Sequence, residues 1–300
     1  MELSEFGFSP FSGEKYFLPN SPLFLENNLI GYEKNFGDIV EAILMQRPFN
    51  VIVGLRPDIK MHLGYRFLAD MVNYFSEEGG EIYLVNPKNE KLLQENPIGI
   101  EEVKDTVFYN NLRKKDTIKI VEDMVTKKSE EILLDMASIY SADQLIKRFG
   151  ILGSDSVNKI WSLLIATSSY FIPNLNKEAD LPTLVIGNPS HATLVVLAND
   201  YAHKRERKRI SAIFPKMVPG IDGSAKMSIS RPSSNIWMDE PFEKQLQEMA
   251  LYDVNNPEDC PLYSVMKFFI PKKELSALEN LCVSDRNCEN CKIKFLNYLV

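Results

Sequence analysis

Two short stretches carry the residues best suited to chemistry on phosphates. The first is Pro57-Asp58-Ile59-Lys60-Met61-His62-Leu63-Gly64-Tyr65. The second, some 160 residues later, is Pro219-Gly220-Ile221-Asp222-Gly223-Ser224-Ala225-Lys226-Met227-Ser228-Ile229-Ser230. Two glycines and a proline bar regular structure from the second, so it reads as a loop. Its one lysine stands among small hydroxyl residues; backbone N–H groups, hydroxyls and a flexible ammonium are the partners a phosphate chain needs. In the first stretch His62 and Gly64 fall where a helical pattern begins. There the helix dipole favours anions, the glycine admits a ligand to the backbone, and an imidazole can donate to a phosphate oxygen. Either stretch alone is ordinary: a solvated surface loop, or a histidine packed at a turn. Together they suit reaction at the α-phosphate of a nucleotide, one fixing the nucleotide and the other neutralising charge on the departing pyrophosphate.

The surrounding pattern positions both stretches. Phe49-Asn50-Val51-Ile52-Val53-Gly54 is a short β-branched run, the signature of a buried parallel strand. A helical pattern follows through Phe67, Leu68, Met71, Val72 and Phe75, closed by Glu78-Gly79-Gly80, and Ile82-Tyr83-Leu84-Val85 is the next strand. Strand, helix and strand in about 35 residues make a βαβ unit, the opening of a nucleotide-type parallel sheet. Leu181–Gly187 returns to a strand, Thr193–His203 to a helix, and Ile210–Phe214 forms the strand that feeds the Lys226 loop. Both phosphate elements therefore fall at the carboxyl ends of parallel strands, where such sheets bind ligands. Residues 1–40 read as an N-terminal extension and residues 41–235 as a Rossmann-type α/β domain, with a short amphipathic helix over Asp38–Met45. Within that domain a helical insertion spans about 97–176, clearest over Val121–Ile139, and residues 236–300 read as a small α-helical domain.

Composition narrows the class. A chain of 300 residues, 45% of them hydrophobic, can bury a large core. It has no run of eighteen apolar residues, so no membrane span is expected, and Met1–Phe6 lacks a secretory pattern, so a cytoplasmic location is expected. A net charge of −7 argues against holding nucleic acid by a global positive field. One local patch, Lys204-Arg205-Glu206-Arg207-Lys208-Arg209, reads equally as an RNA contact and as a solvated helix end answering the macrodipole. Cys260, Cys282, Cys288 and Cys291 include one C-x-x-C pair. Without a second such pair or a pair of histidines, they read as ordinary thiols rather than a metal site.

The residues also carry a resemblance. Pro57–Tyr65 resembles the HIGH motif of class I aminoacyl-tRNA synthetases, and Lys226-Met227-Ser228-Ile229-Ser230 resembles their KMSKS motif. Met217–Gly223 before the lysine and Ser230-Arg231-Pro232 after it are similar to tryptophanyl-tRNA synthetases of the archaeal and eukaryotic type. So are Arg47–Val51, Arg148-Phe149-Gly150, Asn158–Ser162, Tyr263–Phe269 and Cys288–Lys292, in the family's order over about residues 30–298. The resemblance implies a class I fold and a tryptophan–tRNA ligase. ATP, with Mg²⁺, and tryptophan would give an aminoacyl-adenylate and pyrophosphate, and the acyl group would pass to tRNA (the tRNA for tryptophan) on a homodimer. It places His62 and Lys226 in catalysis. Gly54, Gly64 and Tyr65 join His62 around ATP on one side; Gly223, Met227, Ser228 and Ser230 join Lys226 on the other. Glu90, Ser190 and His191 fall around the amino acid.

This sequence departs from the family pattern at several points. Tyr65 replaces the second histidine of HIGH; it can donate one hydrogen bond but is larger and differently directed. Ile229 replaces the second lysine of KMSKS, leaving Lys226 as the cation. Gly187-Asn188-Pro189-Ser190-His191 stands where the family has a Gly-Ile-Asp-Gln run that holds the amino acid. Val85–Glu90 departs from the family's acidic segment, with Glu90 the best remaining partner for the substrate ammonium. The chain stops about where the family adds one more helix, so a short anticodon-binding part is expected. A pocket loses discrimination when its hydrogen-bonding partners are exchanged. A second reading therefore stands beside the enzyme: a catalytically weak or inactive paralogue that binds a nucleotide, an amino-acid-like ligand or RNA.

Overall fold

Val51, Ile52 and Val53 alternate between two apolar layers, and all three are fully buried, as a central parallel strand requires. The computed structural model describes residues 3–54, 60–86, 100–122, 127–149, 157–175, 177, 179–249, 256–285 and 288–300. Glu90, Pro57–Ile59 and Gly150 lie outside the described residues. The chain opens with β1 (Ser9–Pro10), α1 (Leu23–Glu26), β2 (Ile30–Lys34) and α2 (Gly37–Leu44). β3 (Phe49–Gly54), α3 (Leu63–Glu77) and β4 (Gly80–Asn86) form the expected βαβ unit. Short helices α4 (Ile100–Lys104) and α5 (Val107–Asn110) lead to β5 (Ile118–Glu122). The chain then returns through α6 (Lys127–Ile139), α7 (Ala142–Phe149) and α8 (Val157–Ser168) to β6 (Thr183–Ile186), and α9 (Ala192–Lys204) connects to β7 (Ile210–Pro215). α10 (Phe242–Glu248), α11 (Pro261–Met266), α12 (Lys272–Asp285) and α13 (Cys288–Leu299) complete it.

Among the described residues the sheet has seven strands in the order β1-β2-β7-β6-β3-β4-β5. The five from β7 to β5 run parallel, while β1 and β2 add an antiparallel edge drawn from the N-terminal extension. The chain steps outward from β3 to β4 and β5, then crosses back to pair β6 with the other side of β3. The strand order reverses there, and the crevice at the carboxyl ends of β3 and β6 is the default ligand site of an open α/β sheet.

Two apolar layers cover the sheet. One contains α2, α3 and the C-terminal helices in a single cluster, joined by the edge-on pair Phe67 and Phe268 with centroids 5.0 Å apart. Such a pair adds about 1 kcal/mol to the burial itself. The other layer carries α6 to α9. One expectation needs correcting: Val121, placed at the start of the insertion's helix, belongs to a strand, and α6 begins only at Lys127. Ile118, Ile120 and Val121 are β-branched and extend β4 as an edge, a pairing that their helix-compatible spacing concealed.

A polar network at the amino ends of the strands holds the returning insertion. Lys177 donates to Asn50 Oδ1 at 2.6 Å and to Glu81 at 2.8 Å, and Asn50 donates in turn to Asn174 and Thr183. Burial alone would raise the Glu81 pKa. Hydrogen bonds from Lys119, Lys177 and Tyr83 outweigh it and bring the carboxyl down to about 2 from 4.5. A depressed carboxyl stabilises the fold above its unfolded pKa, and that share is lost as the pH falls toward the folded value. Acid unfolding followed by circular dichroism should therefore show wild type losing stability between pH 4.5 and 2, with Glu81→Gln lacking that share. Parallel curves for the two proteins would show that the network contributes nothing.

Candidate active site

Helix α3 begins with an unusual cap. His62 is its N-cap residue, in extended backbone, and its Nδ1 accepts the N–H of Gly64 at 3.1 Å. A Cβ on Gly64 would come within 2.8 Å of the imidazole, so only glycine lets the ring fold over the helix start. With Nδ1 occupied as acceptor, the neutral ring carries its proton on Nε2 and can donate it to a ligand. Burial, reinforced by the charge of Lys226, lowers the His62 pKa from 6.5 to about 4. His62 is therefore a neutral donor at pH 7. The Lys226 charge thus bears on the imidazole from the second element. Tyr65 flanks the ring on one side, with centroids 5.0 Å apart, and Trp237 on another at 6.4 Å.

The Lys226 loop is pinned on either side of its lysine. Gly223 adopts a left-handed φ of 80° and closes a tight turn on Gly220. Met227 donates its N–H to Val218 at 2.9 Å, and its side chain is only 2% exposed. Met227 anchors the loop in the core, which leaves its backbone as the part that could meet a ligand. Lys226 and Ser230 are exposed, and the Ser228 and Ser230 hydroxyls share a hydrogen bond of 2.9 Å.

Past the loop the chain doubles back to the first element. His62 and Trp237 form an antiparallel bridge, with Leu63 N–H donating to Ile236 O at 3.0 Å and Met238 N–H to Met61 O at 2.8 Å. Lys60 lies 5.5 Å from the Trp237 ring centroid and pairs with Glu240 at 2.9 Å. Neither Asn235 nor Trp237 belongs to a chemical motif, and the sequence offers no signal for them beyond their nearness to the lysine loop.

His191 is brought to the switch point. A Cβ on Gly187 would meet its Nδ1 at 2.6 Å and one on Gly54 would meet its Cε1 at 3.3 Å, so the imidazole lies across the carboxyl ends of β6 and β3. Its Nδ1 is buried with no hydrogen-bond partner, and burial lowers its pKa. Ser190 is not brought in. It is exposed, and its hydroxyl donates to Asn188 within a local turn.

The basic cluster is largely neutralised. Arg205 forks onto Asp135, Lys204 pairs with Asp200, Arg209 with Asp38, and Arg207 with Asp180 at 3.7 Å. Arg205 and Arg207 also line a cavity of about 760 Å³ with Asp135, Lys177 and Asp180, at the end of the sheet opposite the switch point. Cys288 and Cys291 lie in the first turn of α13, and among the described residues no group of three or more His, Cys, Asp or Glu side chains could hold a metal ion. Among the same residues, no helix is long and apolar enough to cross a membrane.

Comparison with known proteins agrees with this geometry. The family model described as class I tRNA synthetases (W and Y) matches residues 182–299, from β6 through the Lys226 loop to the last helix. That stretch resembles the class I tRNA synthetases, and the fold of the whole chain is the one these synthetases have. The tryptophan–tRNA ligase of Methanocaldococcus jannaschii is 21% identical over 97% of this chain and 86% of its own length. The crystal structure of a tryptophanyl-tRNA synthetase from Encephalitozoon cuniculi, bound to tryptophan, superposes with a TM-score of 0.80 at 18% identity, covering 99% of this chain and 89% of that one. A tyrosyl-tRNA synthetase from Archaeoglobus fulgidus, complexed with L-tyrosine, reaches 0.68 at 16% identity over 93% and 95%. The fold is thus common to synthetases for two aromatic amino acids, so the fold alone does not choose between them.

The electrostatic link between His62 and Lys226 is directly measurable. An NMR titration should find His62 neutral at pH 7, protonated on Nε2, and titrating only near pH 4. Lys226→Ala should move that midpoint upward; an unmoved midpoint would show that the two groups do not share a site. The folded pKa lies below the unfolded value of 6.5, so the stability linked to His62 is complete above pH 6.5 and declines as the pH falls toward 4.

Proposed function

We propose that this chain is a tryptophan–tRNA ligase, activating tryptophan with ATP and passing it to tRNA. The observation that carries the reading is the meeting of His62 and Lys226 beside the switch point, joined by the bridge at Trp237. In the activation step a carboxylate oxygen of the amino acid attacks the α-phosphorus of ATP. The bond from that phosphorus to the β-phosphate oxygen breaks, and pyrophosphate leaves with the electron pair. The substrate is itself the nucleophile, so the protein supplies position and charge. His62 donates through Nε2 to a phosphate oxygen without introducing a competing positive charge, Gly64 opens the start of α3 to the phosphates, and Lys226 neutralises the departing pyrophosphate. Mg²⁺ would enter on the ATP phosphates, held chiefly by those oxygens and water as this ion commonly is. Gly54 and Gly187 keep the strand ends open, and His191 forms the wall between them. Glu90 is assigned to the substrate ammonium, and the working unit is assigned as a homodimer.

Amino-acid-dependent ATP–pyrophosphate exchange across all twenty amino acids tests this reading. Tryptophan alone should support exchange, and Lys226→Ala should lower its rate by about 100- to 1,000-fold, the usual loss when a donor to developing charge is removed. ATP binding without exchange on any amino acid would sink the ligase and leave a synthetase-like binding module. Exchange with tyrosine in place of tryptophan would keep the chemistry and overturn the substrate.

A further inference from the structure

Ser228 follows Lys226 by two residues, and its backbone is held by a side chain. The Asn235 amide accepts the Ser228 N–H through Oδ1 and donates through Nδ2 to the Ser228 carbonyl, both at 2.8 Å. One planar amide thus pairs with one residue's backbone as a neighbouring strand would. Asn235 Oδ1 also receives the Ser234 hydroxyl at 3.1 Å, and the residue is only 5% exposed. The turn is closed further by Arg231 N–H, which donates to Ser228 O at 2.9 Å.

Asn235 is itself fixed relative to His62. The next residue, Ile236, is fully buried and accepts the N–H of Leu63, the residue after His62. Trp237 then forms the bridge to His62, and its backbone N–H and C=O are both taken by the side-chain amide of Gln245 on α10, at 2.7 and 2.9 Å. The segment from Asn235 to Met238 is a strap fastened to the first phosphate element and to the C-terminal helices. Asn235 is where that strap grips the second phosphate element.

We propose that Asn235 is a positioning residue for Lys226, setting the loop so that the ammonium reaches the departing pyrophosphate while His62 holds the same phosphate chain. This rests on the activation chemistry proposed above. A side chain that acts only through Lys226 affects catalysis only while Lys226 is present. Asp at position 235 keeps the acceptor for Ser228 N–H but loses the donor to its carbonyl and adds a negative charge beside the phosphates.

The test uses the full chain in ATP–pyrophosphate exchange with tryptophan, alongside hydrogen exchange of residues 224–231 without substrate. Asn235→Ala and Asn235→Asp should each lower kcat about 10- to 100-fold, the scale of a misplacement near 1 Å, with the KM for tryptophan moving less than about twofold. The double variant Lys226→Ala/Asn235→Ala should be no slower than Lys226→Ala alone, because the two losses share one interaction. Amides of residues 227–230 should exchange faster in both Asn235 variants, while those of β7 stay unchanged. Unaltered kcat in the Asn235 variants, losses that multiply in the double variant, or unchanged loop protection would each overturn the proposal. If wild type exchanges with no amino acid, the activation reading fails separately, and loop protection still decides whether Asn235 holds the loop.

Discussion

The parallel pairing of β3 with β6 is the constraint on which the site depends. Asn50 to Val53 meet Thr183 to Ile186 in register, although more than a hundred residues separate them in sequence. Parallel neighbours require a crossover, and this one runs through β4, β5 and the helices α3 to α8 before returning to the far side of β3. The reversal of strand order sets the crevice at Gly54 and Gly187. Apolar burial on both faces makes the pairing rigid: a one-residue slip would turn Val51, Val53, Leu184 and Ile186 out of one layer and Ile52 and Val185 out of the other.

A second interaction gives the crevice its chemistry. The carboxyl end of β3 delivers His62 and that of β7 delivers Lys226, yet these strands are not neighbours. The gap is closed by backbone pairing between Met61–Leu63 and Ile236–Met238. A side-chain contact could be lost by rotation; a main-chain bridge fixes distance and direction together. The same strand carries Trp237 against the His62 ring and receives Gln245 from α10, so the C-terminal helices are bonded to the segment that orders the phosphate site. Those helices share one apolar cluster with α3, through Phe67, Phe268 and Phe269. The two ends of the chain are thus one packed body where they meet the site.

Much of this was legible in the sequence because both elements announce themselves locally. The β-branched runs at Phe49 and Ile210, the glycine-rich lysine loop and the His-x-Gly at the start of α3 each follow from short-range chemistry. What escaped depends on pairing at a distance. β5 was read as the start of a helix because Ile118, Ile120 and Val121 also fit helical spacing with the apolar residues after them; only β4 beside them decides the matter. The edge strands β1 and β2 carry Pro10 and Gly31, which weaken any strand pattern, and are ordered by β7. Ser190 and His191 were equivalent candidates in sequence, yet the turn at Asn188 holds one hydroxyl in a local bond and sends the imidazole over the strand ends. Met227 lies inside the motif but faces the core, a direction set by the hydrogen bond to Val218.

The pattern of departures follows from the same division. The elements proposed to handle phosphate rest mainly on backbone geometry and a single lysine: a helix start opened by Gly64, a loop pinned at Met227 and Ser228, and a main-chain bridge at Trp237. The main-chain bonds that set these elements are present with Ile229 and Tyr65 at the positions where the resembled motifs have a lysine and a histidine. Recognition of an amino acid instead relies on side-chain hydrogen bonds aimed at one substrate, which exchange of a few residues rewrites. His191 illustrates the consequence. An imidazole laid on two glycines narrows the crevice and puts a ring at the strand ends. The elements proposed for phosphate are thus held by the backbone, while those proposed for the amino acid rest on side chains.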